Sequence, residues 1–434
     1  MRRLAFVALG LIALLSPPAV GDPAQLPTSS SGAASPNVHL LAHAFDTGGA
    51  VSGGFLGRSI YVLSEPDLLW NEANAPTTLT GGLAVFDVRD PKAPKQIGML
   101  SLPNYQNEDI SVAQQRRFAV MSQDGSSGKV NLVDLRVPTA PKVIGSVALP
   151  SGSGHTSTLV DHDRYLWVSG GSQMVVVDVR DLAHPKVVGS FGSPVGTVHD
   201  AEVDQFGDIT VYGRLGVAVH RITNNPVRPV LVATITPADN AANNNLILHG
   251  GKRLDRDTWL ITEESYAPGC TNDGRFEVWR IDRKAKLLKP VSSWNAPVNA
   301  DNHGAFAQKE YCSSHWFDLN SNNVVADAWY GAGVRFLDVS HPAHPRPIGI
   351  WAGDSTTASQ AVFFPGRTDI VYVADYVRGL DVISIDRGGR GASTVTAEPS
   401  DTPLPGLRLT AKLVPHAQWG WSCLTPAPRP GQRG

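Results

Sequence analysis

The string VFDVRDPKAPKQIG (85–98) returns as VDLRVPTAPKVIG (133–145), VDVRDLAHPKVVG (177–189) and LDVSHPAHPRPIG (337–349). Aligned on the Asp, the copies share Pro seven positions on (Pro94, Pro141, Pro185, Pro345) and Gly eleven positions on (Gly98, Gly145, Gly189, Gly349). Asp87, Asp134 and Asp178 are 47 and 44 residues apart. HRITNNPVRPVLV (220–232) is a weaker copy, EVWRIDRKAKLLKPV (277–291) has lost the prolines of the turn, and GLDVISID (379–386) keeps the first half alone. A period in the forties describes a unit that cannot bury its own faces and does so by stacking on its neighbours.

The unit is legible from its polar punctuation. Each string is preceded by a β-rich run, such as Arg117-Phe118-Ala119-Val120-Met121 or Tyr165-Leu166-Trp167-Val168, and that run by another, such as His155-Thr156-Ser157-Thr158-Leu159-Val160. Proline cannot donate to a β ladder, so the prolines belong in the connection between a third strand and a fourth. The Asp at its start can accept bonds from turn amides. Four antiparallel strands in about 45 residues make a β-propeller blade.

These strings resemble LVIVD repeats, a β-propeller repeat family of mostly exported bacterial proteins, over nearly all of residues 37–386. The resemblance implies architecture and says little of activity, because propellers host unrelated functions. The fourth, fifth and seventh copies depart from the pattern, so their fourth strands are the least specified. Third strands end near Asp87, Asp134, Asp178, Arg221, Arg280, Asp338 and Asp381, which gives seven units, the last without a fourth strand of its own. SPNVHLLAHAF (35–45) reads as an orphan fourth strand. The expected fold is therefore all-β, a seven-bladed propeller of four-stranded antiparallel blades closed by the N-terminal strand. Closure removes the sheet edges that an open array would leave.

Equal offsets bring out a second pattern. His155, His199, His249 and His315 each stand fourteen residues before a second-strand position, Ser169, Gly213, Glu263 and Trp329. The same offset from Ser122 gives Glu108, and Gln360 lies next to the matching place in the seventh unit. Residues that open the innermost strand face the mouth of the central channel, so four imidazoles and a carboxylate would converge there. His303, Asp200 and Glu202 lie nearby in sequence. Imidazole suits Zn, Cu, Fe or Ni, which makes one transition metal the candidate cofactor. A repeat that copies a structural histidine, each bonded within its own blade, gives the same pattern.

Cys270 and Cys312 are expected to emerge on one face and to pair, leaving Cys423 over. Residues 1–21 read as a signal peptide: Arg2-Arg3, an apolar run over Leu4–Leu15, then small residues to Gly21. That run is too short to span a bilayer. Residues 22–36 read as a linker and 387–434 as a Pro/Gly-rich tail whose 405–423 part docks on the propeller. Thirty-seven basic against thirty-nine acidic residues, without long runs of one sign, give no phosphate-tracking surface, so nucleic acid is not expected. The expected protein is a secreted monomer that binds a protein, glycan or small polar ligand with the loop face at the channel mouth. The alternative is a Cu- or Zn-dependent enzyme built on the channel histidines, loosely similar to the copper-dependent methanethiol oxidases.

Overall fold

The structure is a computed structural model that describes residues 33–44, 49–65, 81–102, 108–123, 128–150, 152–235, 246–265, 267, 269–296, 311–354 and 356–386. Residues 1–32 and 387–434, which carry the expected signal peptide, most of the expected linker and the expected docking of 405–423, lie outside these residues, as do His303 and Cys423. Among the described residues every regular element is a strand.

The strands follow one another as antiparallel sheets along the chain. One comprises Gly53–Leu56, Ile60–Glu65, Gly82–Asp87 and Lys95–Ser101; the next Val112–Ala113, Phe118–Gln123, Lys129–Asp134 and Lys142–Ala148. Then come Ser157–Val160, Tyr165–Val168, Gln173–Asp178 and Lys186–Gly192, and after them Val198–Val203, Ile209–Gly213, Gly216–Arg221 and Val230–Ile235. Leu246–Arg253, Thr258–Ser265, Phe276–Asp282 and Leu287–Trp294 form another, joined to its predecessor by one parallel bridge, Thr234 to Leu287. Phe317–Leu319, Val324–Ala328, Val334–Asp338 and Arg346–Ala352 follow, then Ala358–Phe363, Ile370–Asp375 and Gly379–Ile385. Fourth strands thus form in the 198–235 and 246–294 sheets despite their weak repeats. In the last sheet the outer strand is Val38–Ala44, antiparallel to Gly379–Ile385 in the register Val38 to Ile385 and Ala44 to Leu380.

One boundary differs from the sequence reading. Ala33–Ala34, inside the stretch read as linker, pair with Ala352 and Trp351 on the outer edge of the 317–352 sheet. Ser35 donates its amide to Ile350 O and accepts the Ile350 amide on its Oγ, both at 3.0 Å. An unpaired outer edge offers a ladder to any extended chain nearby, and Ser and Ala are small enough to lie on it.

The repeat residues now acquire causes. Asp87, Asp134, Asp178 and Asp338 each accept the amide of the residue two places on, at 2.9–3.1 Å, which folds the chain into the Pro turn. The repeat Gly is required by the neighbouring unit. A Cβ on Gly98 would stand 2.4 Å from Pro138 O, and one on Gly145 would stand 2.0 Å from Leu182 O and 2.9 Å from Pro185 Cδ. Each unit's Pro turn therefore sits on the bare Cα of the preceding unit's fourth strand. Gly145→Ala is expected to cost about 1–3 kcal/mol by overpacking. Gly192→Ala, whose Cβ would meet nothing within 4 Å, is the control. Urea unfolding of the two variants measures the contrast.

The core lies between sheets. Each of the large apolar clusters draws on two adjacent sheets: Phe118, Val120 and Leu132 pack with Leu166, Val175 and Val177, for example. Tyr61, Leu63 and Phe86 of the first sheet pack with Tyr372, Leu380 and Val382 of the last. Gln360 in the last sheet accepts the Gly53 amide on Oε1 at 2.6 Å, across the same seam.

Candidate metal centre

The innermost strands that carry the histidines are irregular at their starts. Val198 pairs with Gly213 and Asp200 with Tyr212, so His199 is an extra residue without a ladder partner. His249 is the extra residue between Leu248 and Gly250, and Ser359 between Ala358 and Gln360. Gly154 and His155 both donate their amides to Ser169 O, at 2.7 and 3.3 Å. A bulge frees one residue from the ladder and re-aims its side chain. Here the re-aimed side chains converge.

Glu108 Oε2 is the common point. It lies 3.2 Å from His155 Nε2, 3.4 Å from His249 Nε2, 3.6 Å from His199 Nε2 and 3.8 Å from His315 Nε2. His155 Nε2 and His199 Nε2 are 2.9 Å apart. Ring centroids step from His155 to His199 at 4.5 Å, to His249 at 4.1 Å and to His315 at 4.0 Å. All five side chains are buried. Donors on a tetrahedral ion with bonds of about 2 Å stand about 3.3 Å apart, so these separations suit a metal. Glu108, His155 and His199 form one compact donor group, Glu108, His249 and His315 a second, and His199, His249 and Glu264 a third.

The far side of the rings fixes their orientation. His199 Nδ1 meets the carbonyl of His249 at 3.1 Å, and His315 Nδ1 meets that of Ser359 at 2.6 Å. A carbonyl only accepts, so Nδ1 carries the proton in both, and in the neutral ring Nε2 presents its lone pair to the centre. Metal-ligating histidines are held this way. Burial, together with the neighbouring His249 and His155, pushes the His199 imidazole well below its ordinary range and keeps it neutral. Burial alone would raise Glu108; His155 and the other imidazoles beside it outweigh that and hold its carboxyl well below the usual range.

Of the residues singled out from sequence, Glu108, His155, His199, His249 and His315 come together; His303 lies outside the described residues. Gln360 is spent on Gly53 and does not join them. Asp200 is buried next along the strand, and Glu202 bonds Lys252 at 2.9 Å. Sequence reasoning missed Glu264, Tyr330 and Tyr376. Tyr330 packs at a tilt against His315, ring centroids 4.5 Å apart, and donates to Glu264 Oε1 at 2.5 Å, while Tyr376 donates to Glu108 Oε1 at 3.4 Å. Their signal was present: Glu264 and Tyr330 each follow directly the second-strand residue used to register the histidines.

Cys270 and Cys312 are joined, with Cα atoms 4.7 Å apart, where Gly269–Cys270 runs parallel to Tyr311–Cys312, just ahead of His315. The bridge spans 42 residues, so replacing both cysteines by serine is expected to cost about 4 kcal/mol in the chain-entropy model. Thermal unfolding of oxidised protein against the double variant checks this.

No family model and no curated protein matches the chain. Solved structures do. The crystal structure of the RRP9 WD40 repeats aligns with a TM-score of 0.55 at 9% identity, over 82% of this chain and 99% of that one. The WD40 β-propeller domain of Doa1 gives 0.53 at 9% identity, over 81% and 98%. The fold is that of a β-propeller. The Pseudomonas aeruginosa periplasmic gluconolactonase PpgL aligns at 0.50 with 12% identity, over 68% of this chain and 83% of that one. At these identities the likeness concerns the fold alone.

Proposed function

We propose that this chain is an exported, closed, seven-bladed propeller of the LVIVD-repeat kind that binds one transition-metal ion at its channel mouth. His155, His199, His249 and His315 are its ligands and Glu108 its carboxylate. The metal centre is what the loop face offers to a polar ligand or a partner protein. The observation that carries the reading is the convergence of four Nε2 atoms within 3.2–3.8 Å of one buried carboxylate oxygen. A purely structural histidine bonds within its own blade; His199 and His315 instead bond the backbone of the next sheet and turn Nε2 inward.

Closure is supported by the Val38–Ala44 ladder on the last sheet and by the apolar cluster shared between first and last. Export is supported by the Cys270–Cys312 bridge, since such bonds persist in oxidising compartments. Among the described residues no helix is long and apolar enough to cross a membrane. A second reading, a copper- or zinc-dependent enzyme, is favoured by the Tyr330–Glu264 pair, a hydroxyl and carboxylate buried against the donors.

Titration of metal-free protein with Zn²⁺ or Cu²⁺ against a chelating dye tests the proposal. One equivalent should bind far more tightly than any other. Only weak, multiple, surface-type binding would remove the metal from the account.

A further inference from the structure

At the opposite ends of the same inner strands, the seam between the 198–235 and 246–294 sheets is built unlike its neighbours. In the first three seams a Pro turn covers the preceding unit's Gly, as Pro138 covers Gly98, Leu182 covers Gly145 and Val227 covers Gly189. Here the Gly position, read from the ladder, is Ala233, and the facing turn is Arg283-Lys284-Ala285-Lys286 without proline. The contact that replaces it is an amide bond from Thr234 to Lys286 O at 3.2 Å. The Asp that opens the turn in the 53–101, 112–148, 157–192 and 317–352 sheets is replaced here by Arg221.

These departures leave a cavity of about 330 Å³ between the two units. The charged groups lining it are Arg221, Arg253, Arg256, Arg283 and a single carboxylate, Asp208. That carboxylate is already taken: Arg221 grips it through Nε and Nη2 at 2.6 and 2.9 Å, and Arg253 Nη1 reaches it at 3.0 Å. Arg253 is further fixed by Asp204 at 2.5 Å and lies over Trp259 and Phe206, 4.2 and 4.7 Å from their ring centroids. Arg283 leans on Asp257, outside the lining. Arg256 is exposed, and its guanidinium has no partner among the described residues. The remaining wall is apolar: Phe206, Trp259, Val232 and Ile281.

The geometry points to a binding site for a small anion, a carboxylate or phosphate, carried on an aromatic or apolar body. Arg256 and Arg283 meet the anion at the rim, where planar guanidinium groups match such oxygens in pairs. Phe206, Val232 and Ile281 take the body above the buried Arg253–Trp259 pair, and a cavity of this size encloses a single-ring molecule. The site is independent of the histidine cluster, and it is a product of the repeat's own breakdown at this seam.

Isothermal titration of the full chain at low ionic strength with phenyl phosphate, benzoate, inorganic phosphate and benzyl alcohol tests it. One aromatic anion should bind per chain, inorganic phosphate more weakly by about tenfold or more, and benzyl alcohol not measurably. Arg256→Ala combined with Arg283→Ala changes only exposed side chains and should weaken the aromatic anions by about tenfold or more, as lost bonds to a charged group do. His199→Ala with His249→Ala should leave the affinity unchanged. No saturable heat, inorganic phosphate as tight as the aromatic anions, or undiminished affinity in the arginine variant would overturn the inference.

Discussion

Protein in which His199 and His249 are both alanine is expected to retain no metal and, in its metal-free form, to melt close to the metal-free parent. Both residues belong to the donor groups that include Glu108 or Glu264, so the pair of substitutions breaks every one of those groups. Removing a group behind a ligand already weakens metal binding by about 10–100-fold, and removing two ligands should weaken it by more. Stability behaves differently. The buried imidazoles crowd one another and a carboxylate, an arrangement that burial disfavours unless something shares the lone pairs. Against this, His249 O loses the donor it had in His199. The two effects oppose each other, so the metal-free difference is small. Added metal should then separate the proteins: binding at about 100 times Kd stabilises the parent by about 2.7 kcal/mol and the variant by nothing. A variant that keeps its metal, or one that merely melts lower with metal affinity intact, would assign the histidines to the scaffold.

Deleting Val38–Ala44 should have the largest effect on folding. The strand satisfies one edge of Gly379–Ile385 through six paired residues, with Leu41 bulged out, and seats Val38 against Gly349 and Ile385. Burying a Val or Leu side chain contributes about 1.5–3 kcal/mol, and a buried backbone group left unpaired costs about 1–3 kcal/mol more. A loss on the order of 5 kcal/mol or more is expected, which approaches the whole stability of an ordinary domain. Removing residues 1–32 should leave melting unaltered. A synthetic peptide covering 36–46, added during refolding, should restore the deleted protein by adding its strand to the open edge, and a scrambled peptide should not. A deleted protein that folds and melts like the parent would contradict the closure.

How far the sequence could be read depended on where each constraint lies. Proline's missing donor and the Asp that caps the turn act inside one unit, so Asp134, Pro141 and their counterparts place the third and fourth strands directly. The repeat Gly was visible, but its reason was not, because the clash at Gly145 comes from Leu182 in the next unit. The histidines are legible because a bulge at a fixed place in each histidine-bearing inner strand gives a fixed offset along the chain. Glu264 and Tyr330 answer to the same register one strand away, and reading only inner strands left them out. Ala33–Ala34 have the composition of a linker, and composition cannot reveal that a bare edge at Trp351 lies within reach. The arginine-lined cavity shows in the sequence only as a loss of pattern, the prolines missing after Asp282, which does not disclose the space they leave.

The most direct measurement is elemental analysis of the full-length protein purified without a polyhistidine tag, beside the His199→Ala, His249→Ala variant prepared identically. The account predicts one transition-metal ion per chain in the parent and none in the variant. Equal, near-zero metal in both, with the parent still failing to take up Zn²⁺ or Cu²⁺ after dialysis against either ion, would contradict it.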